Sequence, residues 1–150
     1  MRVVIQRVTE ARCHIDNKVH SSIGRGLMIL VGITHDDNTE DISWLAKKIA
    51  DMRIFDDSEG VMNLSVKDVA GEVMIISQFT LHALTKKGNR PSWINAAPEA
   101  VSRPLYEKFI TAVEHTLERR VATGSFGADM QIELINDGPV TICIDTKHRE

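Results

Sequence analysis

Two cysteines in 150 residues, Cys13 and Cys143, stand far apart with no Cys-x-x-Cys spacing. That excludes a disulfide framework and a cysteine-built zinc site, and it fits free thiols in a reducing cytoplasm. The six histidines (His14, His20, His35, His82, His115, His148) are scattered singly, without a His-Glu-x-x-His run. No metal is therefore expected. Neither a Walker loop nor a Gly-x-Ser-x-Gly elbow is present, so no cofactor is expected either. Long apolar runs are missing as well. Leu27 to Ile33 is the longest, far short of the ~20 residues that cross a bilayer, so no membrane partner is expected. Arg2, Arg7, Glu10 and Arg12 break up the N-terminal region, which therefore has no export-type apolar stretch, and a cytoplasmic location is expected. Excess positive charge is also lacking: 18 Lys and Arg face 21 Asp and Glu, a formal net charge of -3. Global attraction to nucleic acid is absent and DNA is not an expected partner; an RNA contact needs a local basic patch.

What is present is an ordinary globular composition, 43% hydrophobic and 26% charged, at a length that suits one domain spanning 1–150. Arg2 to Val8 reads as a strand. Ala11 to Ile15 and Val19 to Ile23 flank a turn at Asp16-Asn17-Lys18, and Gly24-Arg25-Gly26 makes a second turn. Leu27 to Ile33 is a strand buried on both faces. Asn38 caps a helix whose Ile42, Leu45, Ala46 and Ile49 form one apolar face, with Trp44 off that stripe. Glu72 to Phe79 reads as a strand. A long segment from His82 to Val101, holding Pro91 and Pro98, follows it, and segments of this length are usually functional. Ser102 caps a second helix with Pro104 in its first turn; Tyr106, Phe109, Ile110, Val113 and Leu117 make its buried stripe, and Arg119 and Arg120 suit its C-terminal end. Met130, Ile132 and Leu134 alternate with polar residues, as do Val140, Ile142 and Ile144, giving two strands on either side of Asn136-Asp137-Gly138-Pro139.

Two polar clusters therefore lie at strand ends: Ser77-Gln78-Phe79-Thr80-Leu81, and Asn136-Asp137-Gly138-Pro139-Val140-Thr141. For the second, a plain turn is the simplest reading. Yet proline cannot donate to a ladder, and glycine lets another molecule approach the backbone closely. The first cluster offers hydroxyls and an amide without an ionisable group. Thr80 and His82 would share a face of an extended strand, which permits a Thr-His nucleophile pair, although a strand threonine beside a solvated histidine explains the same residues. Without a clear base, such a site works by positioning and oxyanion stabilisation. Lys86, Lys87 and Arg90 place three cations on one segment, which reads either as a solvated surface or as phosphate contacts. Phe126 stands between small residues ahead of a strand, a core anchor or a ligand wall.

Taken together, these segments resemble the D-aminoacyl-tRNA deacylase family, homodimeric editing enzymes with Ser-Gln-Phe-Thr and Asn-x-Gly-Pro-Val-Thr motifs. Both motifs are present at Ser77–Thr80 and Asn136–Thr141, and the likeness extends over Met1–Val8, Thr85–Pro91 and Thr123–Met130. One departure is Leu84, where the family pattern has an acidic or amide residue; no polar contact is expected from that position, and His82 is not carried over as a catalyst. The resemblance implies an α/β fold: a three-layer β/β/α domain with strand-rich mixed sheets and two main helices. It also implies hydrolysis of the ester between a D-amino acid and the terminal adenosine of tRNA, in a homodimer. A cis Gly138-Pro139 would enter the partner's site, Ser77, Gln78, Phe79 and Thr80 would floor the catalytic pocket, and Phe126, Met130 and Thr141 would surround the substrate. A non-catalytic tRNA-binding dimer and a cofactor-free small-ester hydrolase are the competing readings.

Overall fold

The computed structural model describes residues 1–150. Its spine is β1 (Arg2–Ile15), which turns through Asp16 and Asn17 into β2 (Lys18–Ile23). Both turn residues have positive φ (51° and 60°), the mirror-image geometry that matches the twist of a two-residue hairpin. After Gly24 and Arg25 the chain enters β3 (Gly26–Gly32), buried almost throughout as its unbroken apolar run requires. Helix α1 (Thr39–Asp51) starts in a reciprocal capping box: the Asn38 side chain accepts from the Glu40 and Asp41 amides, and the Asp41 carboxylate accepts from the Asn38 amide. Two short strands follow, β4 (Phe55–Asp56) and β5 (Met62–Leu64), then β6 (Glu72–Ser77) and a 3₁₀ turn over Phe79–His82. Helix α2 (Glu99–Leu117), β7 (Ala122–Thr123) and β8 (Gln131–Asp145) complete the chain.

Side chains alternate across β3 and β6, so their two faces carry separate cores. Leu27, Ile29 and Val31 of β3 and Val73 and Ile75 of β6 pack with α1 and α2, including Leu45, Ile49, Tyr106 and Phe109. Met28, Met74 and Ile76 face the other way, onto Val8, Ala11, Cys13 and Ile23 of the β1–β2 hairpin. Helices, central strands and hairpin thus form three layers. The strand β1 serves two of them: Arg2–Val8 pairs with β3, and Ala11–Ile15 pairs with β2. The parallel pairing of β3 with β6 and of β6 with β7 makes the sheet mixed.

Several boundaries differ from the sequence expectation. The strand from Glu72 stops at Ser77, because the chain turns into the 3₁₀ helix at Phe79. Helix α2 begins at Glu99 with Pro98 as its cap, not at Ser102. Ser102 lies one turn inside, its hydroxyl donating to the Pro98 carbonyl at 3.1 Å. The expected pair of strands about Gly138-Pro139 is a single strand, β8, paired with β1 along nearly its whole length. Trp44, off the α1 stripe as expected, lies beneath the Arg149 guanidinium, 4.4 Å from its ring centroid.

Candidate active site

The parallel strands β3 and β6 end side by side, and beyond their C-terminal ends opens a cavity of about 300 Å³. Ser77, Gln78 and Phe79 form one wall, while Phe126, Asp129 and Met130 on the segment entering β8 form the other. Sequence clusters some fifty positions apart are thereby brought to one recess, the second of them on the segment that leads into β8, the antiparallel partner of β1. Phe126 is fixed from two sides. Its ring packs against Tyr106 at a centroid distance of 5.6 Å, and the Arg103 guanidinium lies 4.8 Å from its centroid. Burial pushes the Tyr106 phenol far above its ordinary pKa, so its hydroxyl stays protonated and donates to the Ile75 carbonyl at 2.8 Å.

The Ser77–Thr80 cluster is held by main-chain geometry. The Gln78 amide donates to the Val31 carbonyl at 2.7 Å, continuing the parallel ladder by one bond. The i→i+3 pattern of the 3₁₀ turn then leaves the Phe79 and Thr80 amides without acceptors inside the turn. The Gln78 side-chain amide donates to Thr80 Oγ1 at 2.6 Å; Thr80, expected in the pocket floor, does not line the cavity itself and meets it through Gln78.

His82 does not join them. With about three residues per turn, positions 80 and 82 point in different directions, so the shared face expected of an extended strand is lost. Nor is His82 solvated; it is 4% exposed, packed where a Cβ on Gly32 would stand only 2.9 Å from its ring. Burial pulls its pKa below the ordinary imidazole value, partly opposed by the Gly32 carbonyl. It faces a separate polar cavity with Arg2, His35, Asn95 and Lys147. A Thr80–His82 nucleophile pair is therefore not assembled.

Gly138 and Pro139, joined by a cis peptide bond, and Thr141 lie exposed and outside their own chain's cavity. They belong to a bulge. Between the pairs Gln6↔Thr141 and Val8↔Asn136, β1 advances two residues while β8 spans five. Asn136 staples this bulge: its Nδ2 donates to the carbonyls of Arg7 and Val140, both at 2.9 Å, and its Oδ1 accepts from the Thr141 hydroxyl at 3.2 Å. Arg7 supports it from beneath. This side chain, in a residue only 5% exposed, donates from Nη1 to the Ile54 carbonyl at 2.7 Å, and its Nε lies 3.1 Å from the Asp137 carboxylate. Gly138 has φ 116°, a region open to glycine alone, and a Cβ there would sit 2.9 Å from Arg7 Nη2. Sequence reading missed Arg7 because its partners lie at Ile54 and Asp137; an arginine inside an apolar strand was the available signal.

Lys86, Lys87 and Arg90 occupy an exposed hairpin tip closed by reciprocal bonds between Leu84 and Ser92, at 2.8 and 3.0 Å.

The family model described as D-Tyr-tRNA(Tyr) deacylase matches residues 4–145. The chain belongs to this family. It is 57% identical over 150 residues to the D-aminoacyl-tRNA deacylase of Bacteroides thetaiotaomicron, covering the whole of both chains. To the D-aminoacyl-tRNA deacylase of Bacteroides fragilis it is 59% identical, again over the full length of each. A solved structure, the c-Myc DNA Unwinding Element Binding Protein, superimposes with a TM-score of 0.91 at 36% identity, covering 97% of this chain and 98% of that one. The family match spans both strand-end clusters and the bulge, so the cavity wall and the exposed corner lie inside the matched region.

Proposed function

We propose that this protein hydrolyses the ester bond of D-aminoacyl-tRNA, releasing free amino acid and tRNA, as a cofactor-free cytoplasmic homodimer. The observation that carries this reading is the cavity at the end of β6, whose wall holds Ser77, Gln78 and Phe79, with Thr80 bonded to Gln78 just behind it, and in which the one lining carboxylate, Asp129, is hydrogen-bonded to none of them. Such a wall suits a reaction driven by orientation and oxyanion stabilisation. Water attacks the ester carbonyl carbon, the Phe79 and Thr80 amides stabilise the negative oxygen, and the bond to the ribose 3′-oxygen breaks. That oxygen leaves with the proton given up by the water, relayed by the neighbouring 2′-hydroxyl. Gln78 orients the ester.

Handedness is judged by exclusion. Rejecting L-esters 10⁴-fold needs roughly 5.5 kcal/mol, whereas one methylene in a pocket supplies only about 1–3 kcal/mol. A wall of main-chain atoms, unable to rotate aside, supplies more. The corner at Gly138 and Pro139 is such a wall: exposed in its own chain, stapled by Asn136 and backed by Arg7. In a homodimer it closes the partner's cavity, with Thr141 beside the substrate. Glycine has no side chain to exclude, so mischarged glycyl-tRNA is also a substrate. Lys86, Lys87 and Arg90 contact tRNA phosphates.

The test compares D-aminoacyl-tRNA, L-aminoacyl-tRNA, glycyl-tRNA and a small D-amino-acid ester with the purified protein, alongside its mass in solution. Turnover of the D- and glycyl-tRNA esters alone, by a dimer, supports the reading. Binding without turnover means a tRNA-binding dimer, which the exposed cationic hairpin also suits. Equal turnover of tRNA and small esters means a general esterase.

A further inference from the structure

Four of the nine large apolar side chains exposed on this protein fall between positions 79 and 94: Phe79, Leu84, Trp93 and Ile94. Clustering of this kind marks an interaction surface, whereas single exposed apolar residues do not. Phe79 is 55% exposed although it also lines the cavity, and Trp93 is 39% exposed. Their rings meet edge to face, with centroids 5.4 Å apart and planes at 81°. The pair thus forms an exposed aromatic step that continues outward from Phe79 at the cavity wall. The same segment carries Lys86, Lys87 and Arg90 and no acidic residue from Phe79 to Ile94, a local excess of cations in a chain of net charge -3. None of the three cations is ion-paired.

Exposed aromatic faces beside unpaired cations fit unpaired nucleic acid, whose bases stack while its phosphates take the charges. A second copy of this segment would set cations against cations, so self-association fits poorly. We infer that Trp93, backed by Phe79, is a stacking platform for the single-stranded nucleotides that precede the terminal adenosine of the substrate. This inference rests on the proposed hydrolysis of aminoacyl-tRNA. It adds that the enzyme reads its substrate beyond the esterified nucleoside, through Trp93.

Trp44 is the only other tryptophan, so a Trp44→Phe background makes Trp93 the sole indole reporter. Titration with the trinucleotide cytidylyl-cytidylyl-adenosine is expected to quench its fluorescence, less so at high salt. Trp93→Ala is expected to lower kcat/KM for D-aminoacyl-tRNA relative to that for D-aminoacyl-adenosine by about five- to a hundredfold, through KM, with Trp93→Phe retaining most of the ratio. An unchanged ratio, or quenching that follows protein concentration and not the trinucleotide, overturns the inference. Intact hydrolysis without quenching refutes the platform alone. Quenching without any hydrolysis refutes the proposed reaction and leaves the platform standing.

Discussion

Replacing Arg7 by methionine tests whether the exposed corner is the gauge of handedness. Methionine keeps the length of the apolar stem and removes the guanidinium. What is lost can be itemised from the geometry. The bond from Nη1 to the Ile54 carbonyl, at 2.7 Å and buried, is a charge-assisted hydrogen bond of about 1.5–3 kcal/mol. The contacts to Asp56 at 3.4 Å and Asp137 at 3.1 Å involve carboxylates whose side chains are 49% and 37% exposed. Those groups regain water when released, so each adds only about 0.5 kcal/mol. Removing a buried charge gives back part of its desolvation cost. The net expectation is a destabilisation of about 2 kcal/mol, against a total stability on the order of 5–15 kcal/mol, so the variant folds.

The corner loses its inner support while the Asn136 staple remains. Hydrolysis of L-aminoacyl-tRNA should rise at least about tenfold, the result of roughly 1.4 kcal/mol less exclusion, while the D-substrate rate changes less. Urea unfolding gives the stability, and kcat/KM on the two enantiomeric esters gives the selectivity. A loss of about 2 kcal/mol with unaltered selectivity would refute the claim that the Arg7-supported corner judges handedness.

Other expectations follow from single contacts. Thr80→Ala removes the acceptor that holds Gln78 at 2.6 Å, and kcat should fall about tenfold, the worth of one positioning hydrogen bond; near-complete loss would make Thr80 a nucleophile. Burial raises the Asp41 carboxyl pKa, but hydrogen bonds from Lys147, Thr146 and the Asn38 amide outweigh it and hold the value below the ordinary range. A depressed carboxylate stabilises the fold above its unfolded pKa of about 3.9 and loses that stabilisation as pH falls through the folded value. The stability gap between the protein and Asp41→Asn, read from urea midpoints, should therefore be full near pH 6 and shrink below about pH 4. If Lys86, Lys87 and Arg90 each meet a phosphate, log kcat/KM should fall with log salt at a slope of about -2, and replacing all three by glutamine should flatten it. An unchanged slope would place the three side chains in solvent.

Elements defined by their own periodicity were legible from the sequence. The unbroken apolar run of β3, the Asn38 cap and the α1 and α2 stripes each follow from local pattern, and the structure reproduces them. What escaped depends on contacts between distant segments. The 3₁₀ turn at Phe79 cuts β6 short, and its sequence is as compatible with a strand as with a turn. Helix α2 starts a full turn early because Ala97, just ahead of its cap, is tied to Ile33 through its amide at 2.9 Å. The single strand β8 could not be read from Asn136 to Thr141 alone, since its continuity comes from pairing with β1 on both sides of the bulge. Arg7 stayed invisible for the same reason.

These misses share a physical cause that bears on the site itself. Asn136 and Arg7 turn a Gly-Pro sequence, which would otherwise be a loose turn, into a fixed projection from a continuous strand. The cavity wall at Ser77–Thr80 is likewise held by main-chain bonds to β3 and by one side-chain pair, without a charged group at its centre. Both halves of the proposed device therefore keep their shape through fixed contacts, Asn136 and Arg7 at the corner and main-chain bonds with the Gln78–Thr80 pair at the wall. The proposed refusal of L-esters needs this property more than it needs a strong base. A mobile catalytic side chain would accelerate both enantiomers, whereas a rigid wall slows only one.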